Sequence, residues 1–292
     1  MKQRLIYGTI LIATLLALIY VDERLVSRPY NGILVTGVVL ILAILASREM
    51  ALLVRSAGHE PLAAWAVVSS AALVLIPFLD ANADPDQPLL NDWHATVAAL
   101  VIAFLGSAAG AATRKKTDGA IAAIGTTLLA IIYVGLLASF LVRIRVFGPP
   151  GASWLLLYYI GVVKFCDMGA YFTGRAIGKT KLIEWLSPKK TIEGLVGGVT
   201  ASVVVAVAIP MIVKAVADEG SLYPAMFPST GKAALFGIAM ALVGHAGDLL
   251  ESLFKRDAKA KDSAAAVPAF GGVLDIIDSP LLTAPLAYWM LL

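Results

Sequence analysis

Residues 247–279 read GDLLESLFKRDAKAKDSAAAVPAFGGVLDIIDS, and the way this stretch is cut decides the fold. It closes one strongly apolar segment and opens another, and it sets Asp248, Glu251, Asp275 and Asp278 at their edges. Between them runs a loop with Lys255, Arg256, Lys259, Lys261 and Asp262. A carboxylate near the bilayer core costs roughly 2.5–3.5 kcal/mol on insertion scales, so acids inside membrane spans are a functional-site hypothesis by default. Carboxylates facing a basic loop are what a magnesium–nucleotide phosphate site requires.

Outward from this stretch the chain stays apolar. Of 292 residues, 59% are hydrophobic and 15% charged, with mean hydropathy +0.85. A soluble domain carries about 25% charged residues, so the composition specifies a membrane protein. The net charge of +3 is too small to argue for nucleic acid, and the single Cys166 excludes an internal disulfide framework. The N-terminal run resembles a signal peptide. However, no small-x-small site precedes Asp22-Glu23-Arg24, so it is read as a first span.

Apolar windows predict an all-α helical bundle of nine transmembrane helices, at about 5–21, 32–46, 62–80, 93–113, 119–142, 152–173, 192–214, 232–253 and 271–291. The second is short, and REMALLVRSAG after it reads as an interfacial extension. The whole chain, 1–292, is expected to be one membrane domain, with residues 1–150 mainly structural and 151–292 catalytic. With the N-terminus inside, inside segments hold sixteen Lys and Arg against six outside, and Lys164 falls within a span. The outside group includes Arg143 and Arg145. An odd span count puts the C-terminus outside. This layout brings Lys164 and Asp167, Glu193, Asp248 and Glu251, and Asp275 and Asp278 to one depth near the cytoplasmic face.

Asp275 and Asp278 stand three apart and share a helix face near its start, where the macrodipole favours negative charge. Acidic caps are the plain reading. Against it, Pro280 breaks the hydrogen-bond ladder just beyond, which membrane helices tolerate mainly beside protein or a cavity. Asp248 and Glu251 repeat the spacing, and Ser252 shares the face of Asp248. Glu251 is equally well explained by a salt bridge to Lys255 or Arg256, whereas Asp248 lies deeper and reads as a metal ligand. His245 reads as a hydrogen-bonded interior residue.

Lys164 and Asp167 could simply neutralise each other. The sequence then continues DMGAYFTGRAIGKTKL, in which Gly169, Gly174 and Gly178 permit close backbone approach and Arg175, Lys179 and Lys181 supply phosphate-binding charge. In SPKKTIEG, Ser187-Pro188 starts a turn, and Lys189, Lys190 and Thr191 lead into a helix start that suits an anion. An ordinary positive-inside loop would explain this last segment taken alone.

Together, DMGAYFTGRAIGKTKL, SPKKTIEG, GDLLESLFKRDAKAKD and PAFGGVLDIIDS resemble the CDP-diacylglycerol synthase (phosphatidate cytidylyltransferase) family, in the family's order, over about Asp167 to Ser279. The family signature falls on Ser252, Lys255, Arg256, Lys261, Asp262, Gly271, Gly272, Asp275 and Asp278. Two positions depart from it: Phe270 stands where the family commonly has His, and Ile276 where it commonly has Arg. The resemblance implies that CTP and phosphatidic acid give CDP-diacylglycerol and pyrophosphate. It implies Mg²⁺ on Asp248 and Asp275, a second cation being open, with Asp278 in support. Lys255, Arg256 and Lys261 then bind phosphates, with Lys189, Lys190 and the Gly174–Lys179 segment as further candidates. It also implies a homodimer in a bacterial inner membrane, with the active site facing the cytoplasm. A CTP-dependent polyprenol kinase is the alternative within this chemistry, and an ion-coupled transporter the alternative outside it.

Overall fold

The computed structural model describes residues 13–25, 27, 29–84, 91–216, 226–260, 263 and 271–292. The start of the first predicted span, Arg28, Lys261, Asp262 and Phe270 lie outside these residues. The helices are α1 (Ala13–Asp22), α2 (Ile33–Ser56), α3 (Ala63–Asn82), α4 (Asp92–Thr113), α5 (Ala120–Val146), α6 (Ala152–Ile177), α7 (Ile192–Val216), α8 (Thr230–Asp257) and α9 (Leu274–Leu291). Helices α2 to α8 are each long and apolar enough to cross a membrane, so the chain is a polytopic helical membrane protein. Helix α9 has 18 residues and carries Pro280 and Pro285 internally.

Two expectations are corrected. The second span does not stop at 46: α2 runs 24 residues without a break to Ser56, taking Arg48, Glu49 and Arg55 into the helix. Nor is the chain purely helical. An antiparallel hairpin of β1 (Lys181–Ile183) and β2 (Ser187–Thr191) joins α6 to α7, with Lys181 opposite Thr191 and Ile183 opposite Ser187. Ser187-Pro188 opens a strand there, not a turn.

The chain forms two compact units, Met1–Val146 with Phe254–Ile277, and Phe147–Leu253 with Asp278–Leu292. In the first, two buried ion pairs fasten the helices. Arg143, fully buried, forks onto Asp92 through Nε at 2.9 Å and Nη2 at 2.8 Å, donates to Thr96 at 2.7 Å, and lies over the Trp93 ring. Arg145 pairs with buried Asp22 and donates to Asn31 Oδ1 at 2.8 Å. Asp22 also accepts the Leu34 and Val35 N–H groups at the start of α2, entered through Gly32 at φ 76°. Both arginines, expected in an outside segment, are therefore interior groups of α5. The planar guanidinium suits this use, because its fixed fork matches a carboxylate at two points. A π-helical turn at Ile131–Leu136 interrupts α5 where Gly135 faces Ser70 of α3; a Cβ on Gly135 would lie 2.5 Å from the Ser70 Cα.

In the second unit α6 and α7 pack most extensively, and small residues are the reason. A Cβ on Gly169 would stand 2.5 Å from the Ala201 Cβ and 2.8 Å from the Gly197 carbonyl; one on Gly198 would stand 3.0 Å from the Cys166 carbonyl. Without side chains at these points the backbones meet directly, the usual mode of helix association in lipid. Hydroxyls anchored on carbonyls add to this, with Tyr158 donating to Ala206 at 2.9 Å and Ser202 to Gly237 at 2.9 Å.

Candidate active site

Within the second unit, Asp248 and Glu251 lie on α8 and Asp278 on α9, and each offers an oxygen within 4.8 Å of the others. The helices reach this separation because α8 presents Gly247 to α9, where a Cβ would lie 2.9 Å from the Asp278 carbonyl and 3.2 Å from the Ser279 Cα. Glu251 and Asp278 are buried and Asp248 is half-buried. The Ser279 N–H donates to Asp278 Oδ1 at 2.6 Å and fixes that carboxylate. Three hard oxygen donors gathered this closely form a group of the type that can hold a divalent cation.

Lys190, on β2, places Nζ 2.8 Å from Asp248 Oδ2. Asp248 and Lys190 are also walls of a cavity of about 370 Å³, with Asp167, Arg175, Lys189, Thr191 and His245 among the others. The hairpin makes this possible, since it carries the lysines back across the start of α7. Thr191 caps that helix by accepting the Gly194 N–H at 3.1 Å, and Glu193 in its first turn accepts from the Lys179 and Thr180 N–H groups at 3.1 Å and the Thr180 hydroxyl at 2.9 Å. Cationic and acidic walls at a capped helix start give the cavity the chemistry of a phosphate–metal site.

The predicted residues do not all gather here. Asp167, Arg175, Lys189, Lys190, Thr191 and Asp248 share the cavity. Asp167 is paired with Lys164 at 3.3 Å, and Arg175 donates to the Tyr171 hydroxyl at 3.0 Å. Ser252 stands 3.5 Å from Asp248, on the same face as expected. Lys179 and Ser187 are not among the lining residues: Lys179 is exposed, and Ser187 begins β2 opposite Ile183. Gly169 and Gly174 chiefly serve the α6–α7 seam, although Gly174 also borders the cavity. His245 is held by the Ala241 carbonyl at 3.0 Å, as an interior histidine should be.

In the first unit the signature residues form a second constellation. Lys255 Nζ lies 2.7 Å from Asp275 Oδ1, and Asp275 Oδ2 accepts from the Gly272 N–H at 2.7 Å and from the Ser263 hydroxyl at 2.9 Å. Gly271 adopts φ 95°, a conformation that glycine takes freely, and so delivers the Gly272 N–H to the carboxylate. Arg256 is exposed. Sequence reasoning missed the full engagement of Asp275 and left Glu251 undecided. The spacing of Asp248 and Glu251, three apart on one face, was the available signal for the latter.

The chain matches the model of the cytidylyltransferase family over residues 2–292. It is 29% identical over 255 residues to a phosphatidate cytidylyltransferase of Chlamydia pneumoniae, covering 84% of this chain and 78% of the relative. One from Synechocystis sp. is 32% identical over 267 residues, 83% of each chain. One from Bacillus subtilis is 34% identical over 168 residues, 58% of each.

Proposed function

This chain belongs to the cytidylyltransferase family, and on that premise we propose that it transfers the CMP moiety of CTP to phosphatidic acid, giving CDP-diacylglycerol and pyrophosphate. The observation that carries this reading is the carboxylate group of Asp248, Glu251 and Asp278 beside a cavity walled by Lys189, Lys190 and Arg175. A phosphate oxygen of the lipid attacks the α-phosphorus of CTP. The bond from that phosphorus to the oxygen bridging toward the β-phosphate breaks, and pyrophosphate leaves. The attacking oxygen is already ionised, so the site needs no general base. Its work is to bring anions together and hold them in line.

Asp248, Glu251 and Asp278 fit Mg²⁺ by donor type, and their oxygens are gathered in one place. When bound there, the ion would supply charge neutralisation at the reacting phosphates. Asp275 is a further proposed ligand on the strength of the family motif, and room for a second cation stays part of the proposal. Lys190 pairs with Asp248 at 2.8 Å, and with Lys189 and Arg175 it supplies cationic contacts for phosphate oxygens. Asp275 pairs with the Lys255 ammonium at 2.7 Å, and the motif suggests that this lysine too binds a phosphate. Arg256, Lys261, Asp262, Ser252, Gly271 and Gly272 enter as supporting residues through the motif. The family also suggests a homodimer in the bacterial inner membrane, its site open to the cytoplasm where CTP is available.

Purified protein in detergent or vesicles, given CTP, phosphatidic acid and Mg²⁺, tests the reading. It should release pyrophosphate only when all three are present. Pyrophosphate release that is indifferent to phosphatidic acid would refute it.

A further inference from the structure

Glu49 stands on α2, in the part of the chain that sequence reasoning treats as scaffold, and it is buried at 4% exposure. A buried carboxylate in a membrane helix is costly and calls for named partners. Among the described residues its partners all belong to the signature segment. Glu49 Oε1 accepts the Val273 N–H at 2.9 Å, and Oε2 accepts the Leu274 N–H at 2.8 Å and the Ser263 hydroxyl at 3.2 Å. Val273 and Leu274 are the residues just before Asp275, and the N–H groups at a helix start have no partner within the helix. A distant side chain thus supplies the cap that the local sequence GGVL lacks.

The Ser263 hydroxyl ties this cap to the carboxylate of Asp275. The same oxygen lies 3.2 Å from Glu49 and 2.9 Å from Asp275, while the Ser263 N–H also donates to Asp275 at 3.2 Å. A hydroxyl has one hydrogen, so the two carboxylates share a single donor, and the placement of one constrains the other. Asp275 in turn sets Lys255.

We propose that Glu49 is a positioning residue of the reaction: it fixes the first turn of α9 and, through Ser263, the direction of the Asp275 carboxylate and its lysine. The proposal rests on the reading of Asp275 as part of the Mg²⁺–CTP site. Partners of ligating groups typically contribute 10–100-fold in metal affinity or activity, which sets the scale of the effect.

The test compares Glu49→Ala, Glu49→Gln and Asp275→Asn with the unaltered protein. Three quantities are read: the Mg²⁺ midpoint for activity, the Mg²⁺ midpoint for thermal stabilisation in detergent with CTP present, and KM for phosphatidic acid. Glu49→Ala should raise both Mg²⁺ midpoints about 10-fold or more, with KM for the lipid changed less than about twofold. Glu49→Gln keeps one acceptor oxygen, so its midpoints should fall between the two. Folded Glu49→Ala protein with unchanged midpoints would overturn the proposal, as would activity lost only in step with folded protein. If Glu49→Ala does not fold, Glu49→Gln decides in the same way. If Asp275→Asn shifts the midpoints and the Glu49 variants do not, Glu49 is only a structural cap. If Asp275→Asn leaves them unchanged, the reading of Asp275 fails and this inference falls with it.

Discussion

At the level of single side chains, Asp248 has the most demanding position. It is at once a member of the three-carboxylate group, the partner of Lys190 and a wall of the cavity. Replacing it with Asn keeps the shape and removes the charge, so the proposed divalent cation would lose a ligand while the helix seam at Gly247 stays intact. We expect Asp248→Asn to lower kcat by at least about 100-fold without changing the thermal midpoint measured without Mg²⁺. Lys190→Met should act differently, raising KM for CTP by roughly 10-fold, equivalent to about 1.4 kcal/mol, because it would remove a proposed phosphate contact while keeping all three carboxylates. Steady-state kinetics on the two variants separate these outcomes, and equal effects on kcat would contradict the division of roles. Much of this was legible in the sequence, since Asp248, Lys190 and Arg175 stand out as charges at span edges. The distinct settings of Asp275 and Asp278 were not legible. A three-residue spacing places both on one helix face, but it does not reveal that Glu49, more than 200 positions away, caps that helix, or that Lys255 is already held by Asp275.

At the level of elements, the hairpin is the piece that apolar windows could not find. Its strands are only three and five residues long, and the longer one is polar, so neither hydropathy nor helical periodicity marks them. It explains why Lys189 and Lys190 face the cavity instead of trailing as loop cations. Helices α6 and α7 hold the base of that hairpin, and their seam depends on residues without bulk. Gly169→Val should therefore be severe. Its Cβ alone would stand 2.5 Å from Ala201, and the nearest other atom is backbone that cannot rotate away. Overpacking of this kind costs about 1–3 kcal/mol, occasionally more. We expect a lower thermal midpoint in detergent and reduced extraction of folded protein. An unchanged midpoint would show that the seam is looser than the backbone distances require. The glycines of DMGAYFTGRAIGKTKL suggested ligand approach, and the structure assigns most of them to packing. Both uses need the same absence of a Cβ, so sequence could not choose between them.

For the whole molecule, the membrane class followed from composition, and among the described residues most helix positions followed from the apolar windows within a few residues, α2 running ten residues past its predicted end. The ion pairs of Arg143 with Asp92 and Arg145 with Asp22 did not follow. Counting positive charges by loop assigns arginines to the water phase, whereas a fully satisfied guanidinium can remain inside. The compact units also group Phe254–Ile277 with the N-terminal residues, so the signature stretch that opened the reading is divided between the two units. The central claim is nonetheless chemical: CTP is opened at its α-phosphorus by a lipid phosphate. CTP labelled separately at the α- and γ-phosphorus tests that most directly, in the presence of phosphatidic acid and Mg²⁺. The account predicts that the α label enters the lipid product and the γ label leaves as pyrophosphate; γ label in the lipid, with CDP released, would contradict it.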